Sequence, residues 1–134
     1  MYITSLISFV SGLLYLSRTP SVTFDQGSAT VTWQAWNTSS GDRGAGPVIA
    51  YIVYYSLVSP ISWIAAGDVS VTDPSQSLYS LIVQRLEPHT EYMFSVAAVG
   101  DGTGEGPRSP AISGLTPPLS VTESMSKHLN LNTK

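Results

Sequence analysis

From about residue 20 onward, apolar and polar side chains alternate along the chain, the period of a β-strand with one buried face. In "SATVTW" the alternation sets Ala29, Val31 and Trp33 on one side. In "VIAYIVYY" it sets Ile49, Tyr51, Val53 and Tyr55 on one side, with Ile52 and Tyr54 on the other. "SLIVQRL" contributes Leu81 and Val83, with Leu86 just beyond, and "EYMFSVAAV" contributes Tyr92, Phe94, Val96 and Ala98. Weaker strands are expected from Val22 to Phe24, Ser62 to Ala65, Val69 to Val71 and Ala111 to Leu115. The segments between them, "FDQGS", "NTSSGDRGAGP", "TDPSQS", "LEPH" and "GDGTGEGPRSP", are rich in turn formers. No helical period interrupts the series. These runs give about seven strands in all, and the expectation is an all-β fold, a seven-stranded antiparallel β-sandwich of two sheets.

The two ends read differently. "MYITSLISFVSGLLYLS" is uncharged and mostly apolar, so residues 1–18 read as a hydrophobic leader or signal-like segment, or as the end of a fragment. A membrane span is disfavoured: the run falls short of ~20 apolar residues and is broken by Ser5, Ser8, Ser11 and Gly12. After Thr116 the pattern becomes polar and aperiodic, so 118–134 reads as a linker or disordered tail. The domain expected between them covers 19–117.

Composition narrows the function. With 134 residues, one core is the expectation. Charged residues make up 11 %, the net charge is −3 and the pI is about 5.1, so the basic stripe that nucleic acid requires is missing. The sequence has no Cys, which removes disulfides, thiolate metal sites and cysteine nucleophiles. Of its two histidines, His128 falls in the tail and His89 in the corner loop, where no Ser or Asp nearby in sequence suggests a triad. Most of the acids, Asp42, Asp73 and Asp101 among them, fall in turns, where Asp bonds to nearby backbone. "DGTGEG" lacks the spacing of a calcium loop. Its neighbouring glycines, at 100, 102, 104 and 106, recur every second residue, which fits no phosphate-binding motif, so they read as turn residues needing positive φ. No cofactor and no catalytic residue are expected. "NTS" at Asn37 is an N-glycosylation sequon in a surface loop.

Four places in the chain resemble a fibronectin type III domain: Trp33 late in the second strand, the "GPVIAYIVYY" strand, "LEPHTEY" and "GEGPRSP". The spacing "WQAWN…GPVIAYIVYY…W" further resembles modules of receptor tyrosine phosphatase and Tie-like receptor ectodomains. "LEPHTEY" has the form of a tyrosine corner, in which Leu86 and Pro88 set the crossing between sheets and the Tyr92 hydroxyl bonds back to upstream backbone. The position two residues after that Tyr, a Cys in antibody domains, is Phe94. Trp33, Tyr51, Leu86, Tyr92 and Phe94 therefore form the expected structural core. The resemblance implies an immunoglobulin-like, extracellular, non-catalytic module, a spacer or protein-protein interaction unit in a cell-surface receptor or adhesion protein. Its expected partner is another protein, with membrane contact only through a longer parent protein or the N-terminal apolar segment. Trp36, Ile52, Tyr54 and Trp63 lie outside the core pattern and are the candidate interaction surface. The alternative is a carbohydrate-binding or accessory module of a secreted enzyme, which would need Trp36 and Trp63 exposed and coplanar.

Overall fold

The computed structural model describes residues 12–119. In it the alternating runs become β1 (Ser21–Asp25), β2 (Ser28–Gln34), β3 (Val48–Leu57), β4 (Ile64–Ser70), β5 (Leu78–Val83), β6 (Glu91–Gly100), β7 (Gly104–Glu105) and β8 (Ile112–Leu115). One sheet has the order β1-β2-β5; the other has β4-β3-β6, with β7 and β8 both bonded to β6. All pairs are antiparallel. β7 pairs with Val99 and Gly100 and β8 with Glu91 to Phe94, so they are two halves of one edge strand. Pro107 and Pro110, which carry no N–H, sit in the gap between them. There the Ser109 hydroxyl accepts from Val96 N at 3.0 Å, replacing a ladder bond. Counted this way, the fold is a two-sheet, seven-stranded sandwich.

The inward faces meet as the alternation requires: Ala29, Val31 and Trp33 oppose Tyr51, Val53, Phe94, Val96 and Ala98, all buried. Tyr79 of β5, which the hydrophobic pattern did not single out, joins them. Its ring lies 5.0 Å from Tyr51 and 6.2 Å from Trp33, making a three-ring cluster in the core. At the tyrosine corner the Tyr92 hydroxyl accepts from Glu87 N at 3.0 Å. Thr116 closes the same end: its hydroxyl bonds to the Glu87 carbonyl at 2.6 Å and accepts from Thr90 N at 2.9 Å.

Several expectations need correction. The two strands expected at 62–65 and 69–71 are one, β4, running Ile64–Ser70 with a register shift opposite Val53 and Tyr54. Ile49, expected inward, is 46 % exposed, because a second register shift between Val48 and Ala50 turns it out of the pleat. Ser95 and Ala97, on the outward face of β6, are buried; the Ser95 hydroxyl donates to the Ser109 carbonyl at 2.6 Å.

The largest correction lies at the N-terminal side. Leu14 and Leu16, inside the segment expected to precede the domain, are 0 % and 4 % exposed and belong to the hydrophobic core. Tyr15 exchanges two 3.0 Å backbone bonds with Arg43, whose guanidinium lies 4.8 Å over the Tyr15 ring. Asp42 is no solvated turn acid: it is buried, and its carboxylate accepts from Ser17 N (2.8 Å), Ser17 Oγ (3.0 Å) and Asn37 N (2.9 Å), with Arg18 3.6 Å away. The packed unit thus begins earlier than residue 19. Residues 1–11 of the proposed leader and 120–134 of the proposed tail lie outside the described residues.

This strap also revises the reading of the glycines. Gly102 and Gly104 have φ of +83° and +81°, as a hairpin turn needs, and a Cβ on either would meet nothing within 4 Å. Gly100 and Gly106 answer to packing instead. A Cβ on Gly106 would stand 1.7 Å from the Leu14 carbonyl oxygen, and one on Gly100 would stand 3.1 Å from the Leu14 side chain and closer still to Thr103.

Candidate interaction surface

Strand geometry sends alternate side chains of β3 outward, so Ile52 and Tyr54 stand on the outer face of the larger sheet, both half-buried. Trp63 lies just before β4 and Arg108 between β7 and β8, and Arg108 reaches both Trp63 and Tyr54. The Arg108 guanidinium lies 4.8 Å over the Trp63 ring and 5.5 Å over the Tyr54 ring, a cation in contact with two aromatic faces. The Tyr54 hydroxyl donates to the Glu105 carboxylate. That bond, then burial and the nearby negative charge, raises the Tyr54 hydroxyl above the usual tyrosine range, with Arg108 pulling the other way. Among the described residues Arg108 forms no ion pair, so its guanidinium donors remain available to a partner's acceptors.

Trp36 belongs elsewhere. Its backbone N–H donates to the Tyr51 hydroxyl at 2.8 Å and its indole N–H to the Arg43 carbonyl at 2.8 Å, and its ring lies against Gly46. Gly46 precedes the start of β3, whereas Trp63 adjoins Ile64, which pairs with Tyr55 near the strand's end. The two indoles therefore occupy opposite ends of β3, both half-buried, and offer no coplanar platform for a sugar ring. Of the four candidate residues, the fold brings together Ile52, Tyr54 and Trp63 on one face, and adds Arg108 and Glu105. Nothing local in the sequence signals that addition; it depends on where the edge strand crosses β6.

Asn37 is exposed; its side-chain oxygen accepts from Ser39 N at 2.9 Å, capping a short 3-10 turn at Thr38–Ser40. His89 is exposed at φ +48°, with its N–H bonded to the Pro117 carbonyl at 3.1 Å. Among the described residues no group of three or more His, Asp or Glu could hold a metal, and no helix is long and apolar enough to cross a membrane. The surface depression around Arg18, Gln34 and Trp36, about 500 Å³, contains no acid-base pair.

The family model described as "Fibronectin type III domain" matches residues 18–114. In the comparison with curated proteins nothing matches. Among solved structures, the chain is similar to the twitchin kinase region from C. elegans (15 % identity, TM-score 0.57, covering 73 % of this chain and 16 % of that one). It is similar to the chicken CNTN1 FN1-FN3 domains (22 %, 0.57, 76 % and 32 %) and to the third fibronectin III domain of human KIAA0343 protein (24 %, 0.53, 82 % and 88 %). The chain spans well under two thirds of the twitchin and CNTN1 structures it matches.

Proposed function

The chain belongs to the fibronectin type III family, and from that premise we propose that it is a non-catalytic spacer or protein-protein interaction module of a cell-surface receptor or adhesion protein. The resemblance to receptor tyrosine phosphatase and Tie-like ectodomain modules motivates this setting, and the exposed sequon at Asn37 is compatible with it. The observation that carries the interaction role is the Arg108 guanidinium held over Trp63 and Tyr54 on the outer sheet face. Arg, Trp and Tyr are the side chains that dominate protein interfaces, and an Arg already oriented by two rings gives up less entropy on binding. Its partner is a protein that presents a carboxylate within an apolar rim, over Ile52 and Tyr54. The loop Asp101 to Thr103 is a connector in this reading, since it offers no large anchor.

The test displays the full chain on cells and identifies extracellular neighbours by proximity labelling. A defined set should be lost with Trp63→Ala and Arg108→Ala, while the melting curve and surface level are retained. An unchanged set would remove the outer face from the account. In material made through a secretory pathway, mass spectrometry should find glycan on Asn37; an unmodified Asn37 there would count against an extracellular setting.

A further inference from the structure

Among the described residues β5 ends its sheet, bonded to β2 on one side only. The Ser77 carbonyl accepts from Ala35 N at 2.9 Å, and the β2–β5 register runs without a shift. Odd-numbered residues of β5 therefore turn their backbone groups toward β2, and those of Leu78, Ser80 and Ile82 face away from it. The Leu78 carbonyl confirms the parity: the Gln76 side-chain amide reaches it at 2.8 Å. Leu78 and Ile82 oppose Gln34 and Thr30 on the outer face, and they are 56 % and 57 % exposed. The strand carries no charge and no Pro, two of the devices that blunt an edge, and of its outward groups the Leu78 carbonyl is met by the Gln76 amide.

We propose that β5 is a self-association edge: a second copy of this chain adds its own β5 antiparallel to the first, about a two-fold axis at Ser80. That register is self-complementary. Ser80 meets Ser80 of the second copy, and each Leu78 meets an Ile82, pairing the two exposed apolar side chains on one face. Antiparallel pairing sets the end of one β5, followed by Arg85, beside the start of the other, preceded by Asp73. Opposite charges thus meet at both ends, since Arg85 and Asp73 are both exposed. A register shifted along the strand would pair only one of the two, Leu78 with Leu78 or Ile82 with Ile82, and carry the other past the strand's end. Two-fold pairing consumes the edge in both copies, so association stops at the dimer. The contact goes beyond the module reading and is independent of it, since it requires neither a cell surface nor the Arg108 face.

One strand pair is small for an interface, so the full chain is sedimented over a concentration series reaching about 1 mM. The mass is expected to rise from one chain toward two. Ile82→Lys, which sets a charge opposite Leu78, and Ser80→Pro, which removes an outward N–H without touching the bonds to β2, should each hold it at one chain while the melting curve shows a folded domain. Because the sequence has no Cys, single-cysteine variants report geometry directly. Across the axis the Cα atoms would stand about 5.5 Å apart, within disulfide reach. Under mild oxidation Ser80→Cys should cross-link roughly tenfold faster than Thr23→Cys on β1, the far edge of the same sheet. A chain that stays monomeric throughout, a dimer untouched by either β5 substitution, or equal cross-linking of the two cysteine variants would overturn the proposal.

Discussion

Replacing Leu14 by Ala tests whether the domain really begins in the apolar N-terminal run. Leu14 is fully buried, touching the edge of Gly100 and crossing Gly106 so closely that no Cβ fits there. Removing a buried Leu side chain costs ~2–5 kcal/mol in transfer and cavity terms together, against a total stability of ~5–15. Truncation to residue 19 is the less informative perturbation. It also releases the entropy of holding the strap in place, ~1–2 kcal/mol per residue, and so offsets much of the lost burial. Side-chain substitution leaves that entropy unchanged and isolates the packing. Leu13, only half-buried, is the neighbouring control. In urea, with a slope of ~1–3 kcal/mol per molar, Leu14→Ala should lower the unfolding midpoint by about 1 M or more, and Leu13→Ala by clearly less. A Leu14→Ala midpoint equal to wild type would refute the assignment and return residues 12–18 to the leader.

Tyr92→Phe removes the acceptor for Glu87 N at the corner, and should cost ~1–3 kcal/mol with the fold retained. An unchanged denaturant midpoint would sink the corner's role. Gly106→Ala should destabilise well beyond Gly102→Ala, since the first drives a methyl into the Leu14 carbonyl and the second meets only the strain of positive φ, ~1–2 kcal/mol. Equal thermal melts for the two would show that the strap yields at no cost. Burial raises the Tyr51 hydroxyl above the ordinary tyrosine value, about 10, only partly opposed by the bond from Trp36 N. A raised folded pKa means that its contribution is fully present below pH ~10 and is lost as pH climbs through the folded value. Phenolate absorbance should therefore include a late component, to which Tyr54 also contributes, and Tyr51→Phe should diminish it; a single transition near pH 10 in a folded chain would contradict this.

Much of the fold follows from patterns confined to a few neighbouring residues. Alternation in β2, β3, β5 and β6 dictates which faces are buried, because side chains in an extended chain point to opposite sides whatever lies beyond. "LEPHTEY" likewise carries its own geometry, with donor and acceptor five residues apart. The candidate surface was legible in part: Ile52 and Tyr54 by parity, and Trp63 by being unneeded in the core. Other features depend on partners far along the chain, which no local pattern encodes. Register shifts opposite β4 and β6 expose Ile49 and fuse two expected strands. Asp42 is buried because a segment 25 residues earlier brings it a backbone N–H and a hydroxyl. Leu14 and Leu16 look like leader residues, since apolarity alone is the same in a targeting segment and in a core, and only the sandwich's open end gives them a place to bury. Gly100 and Gly106 look like turn residues until the strap is seen crossing them. Arg108 becomes an interface residue only when the edge strand lays it over Trp63 and Tyr54. Parity is local and needs only the next residue; burial and charge pairing are settled by whichever distant surface arrives, and only the tertiary structure decides that.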